Sequence, residues 1–168
     1  ADQAVGPHDL TPFSIDDRRC HEWAGTVVAM TTDEVLGAGT ADDPWQLTTP
    51  PGTSGYVAWR EEDADPPALV VEASGAQLRY HLRCIEDMHE MLKNHGDWMP
   101  LGNADEQKEP KPGTVEAWGR DPENAVGGWY GLRKGYRGRV GNYVTPVLEA
   151  LGLVELEHNA RNNRVRAR

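Results

Sequence analysis

Val140-Gly-Asn-Tyr-Val-Thr-Pro-Val-Leu-Glu-Ala-Leu-Gly-Leu-Val-Glu-Leu-Glu-His-Asn-Ala-Arg-Asn-Asn-Arg-Val-Arg-Ala-Arg168 closes the chain, and its hydrophobic period changes twice along its length. Val140, Tyr143, Val144, Val147, Leu148 and Leu151 recur at helical spacing, with Gly152 placed to end the element. From Val154 the period drops to two. Val154 and Leu156 point one way, Val165 and Ala167 match them across a turn at 158–163, and Arg164, Arg166 and Arg168 project outward. Asn162-Asn163 suits a left-handed turn. Pro146 leaves two readings: one helix that bends there, or a shorter helix that opens with Pro146 in its first turn and Thr145 as its cap.

Upstream lies Gly127-Gly-Trp-Tyr-Gly-Leu-Arg-Lys-Gly-Tyr-Arg-Gly-Arg-Val-Gly141, which interleaves glycine, aromatic rings and four basic residues. Such a composition suits backbone approach to phosphates, with Arg133, Lys134, Arg137 and Arg139 neutralising charge and rings available for stacking. The competing reading makes Trp129, Tyr130, Leu132 and Tyr136 core anchors and the cations their solvated flanks. Before it, Thr114 to Trp118 predicts a short helix. The segment 103–113, charged and proline-bearing, predicts a flexible connection.

The strongest helical pattern runs from about Arg83 to His95, where Ile85, Met88, His89 and Leu92 share a face and Gly96 supplies the residue past the end. Trp98 to Leu101 can add a short strand. Ala68–Ala73 and Ala76–His81 flank Ser74-Gly75 as a β-hairpin, and Tyr56–Arg60 joins them in a three-stranded antiparallel sheet. At the start of the chain, Ser14-Ile-Asp-Asp17 caps a helix to Met30, and Thr32 caps a second short one before Gly37.

Helix, Gly-Leu, strand, polar turn, strand: with Leu148-Glu-Ala-Leu-Gly-Leu-Val-Glu155 and Arg161-Asn-Asn-Arg-Val-Arg166, the segment resembles the recognition-helix-to-wing passage of a winged helix-turn-helix domain. That resemblance implies a first helix from about Arg83, a small strand at Trp98–Leu101 and a second helix at Thr114–Trp118, covering about half the chain. The long glycine-rich insertion before the third helix, and Pro146 within it, depart from the usual pattern. The fold expected is α+β: a small antiparallel sheet with helices over residues 1–82, then a winged-helix-like part over 83–168.

Charge divides further along the chain, after residue 128. Residues 129–168 carry eight basic and three acidic side chains, whereas residues 1–128 carry 9 basic and 24 acidic, so an overall charge of −10 conceals a basic end. A surface this acidic argues against a protein that coats nucleic acid or an anionic membrane over its whole extent. No apolar run is long enough to span a bilayer, and no basic-then-apolar leader opens the sequence. Cys20 and Cys84 lie in unrelated contexts without C-x-x-C spacing, which predicts reduced thiols and a cytoplasmic address.

Signatures of chemistry are absent from the sequence. His81, His89 and His95 lack metal-ligand spacing, Gly37-Ala-Gly39 lacks a dinucleotide fingerprint, and neither Ser54 nor Ser74 sits in a nucleophile frame. No catalytic residue, cofactor or metal is expected. The function expected is a DNA-associated winged-helix protein, in which Arg133, Lys134, Arg137, Arg139 and Asn142 follow the phosphates or groove edge of double-stranded DNA and Arg161 and Arg164 reach from the wing. The alternative is a protein-interaction or homodimerisation module without DNA binding, and the third reading is an enzyme. A plainer reading of the wing has Glu155 and Glu157 pair with Arg164 and Arg166 across the hairpin, leaving only Arg161 and Arg168 free. An exposed stripe of Arg133, Arg137, Arg139 and Arg161 would favour DNA; pairing of each with acids of the N-terminal half would favour protein contact; a closed pocket lined by His81, His89 and Asp97 would favour an enzyme.

Overall fold

Ser74 and Gly75 both adopt left-handed backbone conformations, with φ of 50° and 80°, and turn the chain through the expected hairpin. In the computed structural model, which describes residues 36–168, its arms are β3 (Ala68–Ala73) and β4 (Ala76–His81). Strand β2 (Gly55–Glu61) joins β3. A fourth strand, β1 (Trp45–Thr48), extends the expected three-stranded sheet to the antiparallel order β1-β2-β3-β4. Alternation sends Trp45, Leu47, Tyr56, Ala58, Leu69, Val71, Leu78 and Tyr80 to the core face. The helix expected over 14–30, Cys20, and all but Leu36 of the second helix expected before Gly37 lie outside the described residues.

Helix α1 (Cys84–His95) buries Cys84, Ile85, Met88 and Leu92, and Gly96 closes it at φ 74° with its N–H donating to the Leu92 carbonyl. Strand β5 (Met99–Pro100) follows, then α2 (Val115–Trp118), whose first turn is capped by the Thr114 hydroxyl accepting from the Ala117 N–H. Helix α3 (Val140–Ala150) runs unbroken through Pro146, so the one-helix reading of the proline applies. Strands β6 (Val154–Leu156) and β7 (Arg164–Ala167) form the expected hairpin, in the register Val154 with Ala167 and Leu156 with Val165. The short strand β5 pairs with β7, giving a second antiparallel sheet of order β5-β7-β6. The fold is α+β.

The division expected after residue 82 does not separate two cores. Residues 36–168 are one unit, and a single apolar cluster joins Tyr56, Leu69 and Tyr80 of the large sheet to Met88 and Leu92 of α1, Val144 and Leu148 of α3, and Val165 of β7. The reason is geometric: the large sheet has one apolar face, and α3 has apolar residues around nearly its whole circumference. The segment expected to connect two parts flexibly, 103–113, is fastened to the same body. Arg120 donates to the carbonyls of Ala104, Asp105 and Lys108, while Glu106 pairs with Arg137.

Candidate functional site

Helix α3 occupies the place the resemblance assigns to a recognition helix, yet none of its residues is fully exposed. Val140, Gly141 and Val144 to Leu148 are buried, and Asn142, Tyr143, Glu149 and Ala150 are half-buried. The large sheet contributes to this cover. The Tyr56 ring meets the Tyr143 ring edge-on at 5.2 Å, and its hydroxyl donates to the Tyr143 carbonyl at 2.8 Å. Tyr80, fully buried, donates to the Gly138 carbonyl just before the helix. At the far end His158 contacts the Pro50 carbonyl through Nδ1 at 2.8 Å and the Glu149 carboxylate through Nε2 at 2.7 Å. Both partners accept, so the doubly protonated imidazolium satisfies them best; burial lowers the His158 pKa, but these hydrogen bonds outweigh it and leave it raised.

A buried carboxylate sets the start of α3. Glu116 of α2, 1% exposed, accepts from the Arg139 and Gly141 backbone N–H groups and pairs with Arg120 one turn further on. Burial raises the Glu116 pKa, against the pull of Arg120 and the two amides. Arg120 stacks on Trp129 with its Cζ 4.5 Å from the ring centre, and Arg137 does so at 4.4 Å. An i,i+4 Glu–Arg spacing was visible in the sequence; that the pair would lie beneath the helix start was not.

Three glycines of the basic stretch, Gly131, Gly138 and Gly141, are packed against other parts of the chain, whereas Gly127, Gly128 and Gly135 border open space. A Cβ on Gly131 would stand 2.4 Å from the Arg137 Cα, one on Gly138 2.6 Å from the Glu106 nitrogen, and one on Gly141 2.8 Å from the Leu101 carbonyl oxygen. Their missing side chains let protein backbone approach protein backbone. The aromatic residues divide: Tyr130 is a core anchor that stacks on Trp118 and donates to Asp87, whereas Tyr136 is 42% exposed.

The cations expected to act together have separate surroundings. Arg133 is exposed, donates to the Gln77 carbonyl and covers the Tyr136 ring at 4.3 Å. Arg137 is paired with Glu106, and the guanidinium holds that carboxyl below its usual range. Lys134 and Arg139 are exposed, with no carboxylate partner among the described residues; the same is true of Arg161 in the wing turn. Asn142 is half-buried in the first turn of α3. On the wing, Arg164 pairs with Glu157 and Arg166 with Glu155, the cross-strand pairing the sequence offered as the alternative to DNA contact.

Both wing guanidiniums also lie on one indole. Arg166 stands 4.6 Å and Arg164 5.3 Å from the Trp98 ring centre, so the small sheet presents a half-exposed tryptophan framed by two ion pairs. Sequence reading missed Trp98; its place two residues before Pro100, the β5 residue that pairs with Arg164, was the available signal. His81 lines a cleft of about 480 Å³ with Arg60, Pro66 and Arg83 rather than with His89 and Asp97. Burial, then Arg83, lowers its pKa. Among the described residues no cluster of metal-binding side chains occurs, and no helix is long and apolar enough to cross a membrane. Cys84 is a buried free thiol whose pKa burial pushes well up.

Residues 37–168 match the profile of a family of unknown function, DUF6855, and the chain belongs to that family. No curated protein and no solved structure matches it.

Proposed function

We propose that the chain is a protein-interaction module on a winged-helix-like frame, which pairs with a second copy of itself through the face of the small sheet. The order helix, strand, helix, helix, strand, strand, with β5 against β7, supports the winged-helix frame. The observation that carries the function is the cover over α3. A helix whose residues are all buried or half-buried offers a major groove only a narrow edge, and exposing more of it would require lifting Tyr56, Tyr80 and His158 away.

The small sheet offers a better contact. Its outward face carries Trp98 with Arg164, Arg166, Glu155 and Glu157, equal numbers of cations and anions around one aromatic plane. Tryptophan and arginine are the residues most enriched among strong interface contacts. Alternating charge on a flat sheet is self-complementary under a twofold axis, whereas DNA phosphates would have to displace two glutamates already bound to those arginines.

Sedimentation over a concentration series tests this reading. Wild type should move from monomer toward dimer as concentration rises, and Trp98→Ala or Arg166→Glu should remain monomeric with unchanged far-ultraviolet circular dichroism. A wild-type chain that is monomeric throughout would refute it.

A second reading, contact with DNA phosphates without groove insertion, is favoured by Lys134, Arg139 and Arg161, which have no carboxylate partner among the described residues. Fluorescence anisotropy with a mixed-sequence duplex across a salt series separates the two. Binding that weakens with salt and with Arg137→Ala/Arg139→Ala favours phosphate contact, and the slope counts the contacts. No binding at low salt leaves the protein-contact reading.

A further inference from the structure

Three non-glycine residues among those described have left-handed backbones: Ser74, Arg139 and Asn162. Asn162 sits in the wing turn, where asparagine is at ease. Ser74 takes it as the first central residue of the Ser74-Gly75 hairpin turn, and Arg139 is the less expected one, since a β-carbon in that conformation crowds the following carbonyl. Although 65 residues apart, both line one cleft of about 300 Å³, together with Leu78, Glu106, Tyr136 and Tyr143. Non-glycine residues held in such conformations cluster at functional sites because the side chain is needed where glycine would be easier.

The groups meeting in this cleft are unequally occupied. Glu106 is neutralised by its ion pair with Arg137, whereas Asp105, which accepts only the Gln107 N–H of its own turn, keeps its negative charge at the cleft edge. The Arg139 guanidinium and the Ser74 hydroxyl make no hydrogen bond to another described residue, although Arg139 does anchor its own backbone N–H on Glu116. Leu78 and the two tyrosines supply an apolar and aromatic wall. A volume of 300 Å³ lies at the small end of the range for organic ligand pockets.

We propose that the cleft between the β3–β4 turn, residues 105–106 and the Gly135–Arg139 loop binds a small organic carboxylate with an aromatic or apolar body, its anionic end on Arg139 and Ser74 and its body against Tyr136, Tyr143 and Leu78. This site is distinct from the face of the small sheet and does not depend on self-association.

Phenylacetate serves as the probe, followed by amide shifts in two-dimensional NMR, with acetate and phenethylammonium as controls for body and charge. The proposal predicts saturable shifts at Gly135, Tyr136 and Arg139 with phenylacetate, and affinity at least tenfold weaker for either control. Arg139→Gly removes the guanidinium while suiting the left-handed backbone, so it should keep the fold, raise Tm and weaken phenylacetate at least tenfold. Tyr136→Ala, at an exposed ring, should weaken it without moving acetate. Absence of saturation in the wild type, equal binding of phenethylammonium, or undiminished binding by Arg139→Gly would each overturn the proposal.

Discussion

Glu116 and Arg120 lie one helical turn apart with 1% and 10% of their side chains exposed, and together they organise the start of α3. Truncating one member leaves the other buried and uncompensated, which costs about 3–5 kcal/mol. Arg120→Ala should therefore lose about that much in urea denaturation, aided by the loss of its bonds to Ala104, Asp105 and Lys108. The Glu116 pKa is raised, chiefly by burial, so the folded chain holds this proton more tightly than the unfolded chain. Its contribution to stability is full below the ordinary carboxyl value of 4.5 and is lost as pH rises through the raised value; Glu116→Gln should lack that component when stability is measured against pH. At Arg139 the left-handed backbone costs roughly 1–2 kcal/mol for a non-glycine residue, offset by the roughly 0.5–1 kcal/mol of extra chain entropy a glycine loses on folding. Arg139→Gly should thus gain about 0.5–1 kcal/mol in the same assay. None of this was legible from residue types, because an i,i+4 Glu–Arg pair reads as a solvated helix face until the neighbours that bury it are known.

Elements were legible where their signals are local. Ser74-Gly75 between alternating arms, Gly96 after Leu92, and the matching of Val154 and Leu156 with Ala167 and Val165 all follow from periods and turn chemistry within a few residues. Strand β1 escaped because four residues, Trp45-Gln-Leu-Thr48, give too short an alternation to separate from the turns around it. The glycine-rich stretch was misleading in a different way. Backbone that approaches a ligand and backbone that approaches another loop need the same missing Cβ, so sequence composition cannot distinguish the two. Gly138→Ala tests the internal use: the methyl would press on the Glu106 nitrogen and the Asp105 carbonyl carbon, and we expect a loss of about 1–3 kcal/mol. The contact between the wing turn and the Pro50 carbonyl is carried by His158, whose folded pKa lies above its ordinary value of 6.5. Its stabilisation is complete below about 6.5 and is lost as pH rises through that higher folded value. His158→Gln should accordingly flatten the decline of Tm on the alkaline side of that window.

Across the molecule, among the described residues, the basic end meets the acidic remainder through one ion pair, Arg137 with Glu106, and two further cations are paired within the basic end itself. Arg137, Arg164 and Arg166 are paired with glutamates, one of them from the 103–113 segment, and Arg133 rests on the β4 backbone at Gln77. The sequence contained every partner in these pairs; only the wing hairpin, where the register is local, allowed two of them to be named. The shared core was out of reach for the same reason, since no periodic pattern tells which of two apolar faces will cover which. The account turns on that core: the large sheet and α3 share one apolar cluster, and the helix that the resemblance assigns to recognition is buried or half-buried throughout. Native-state amide exchange measures this directly. The prediction is that Val144, Val147 and Leu148 exchange as slowly as Leu69 and Val71 of β3, with the same opening free energy as global unfolding. Exchange of the α3 amides through an opening well below that of β3 would mean that the sheet detaches from the helix, and would contradict the account.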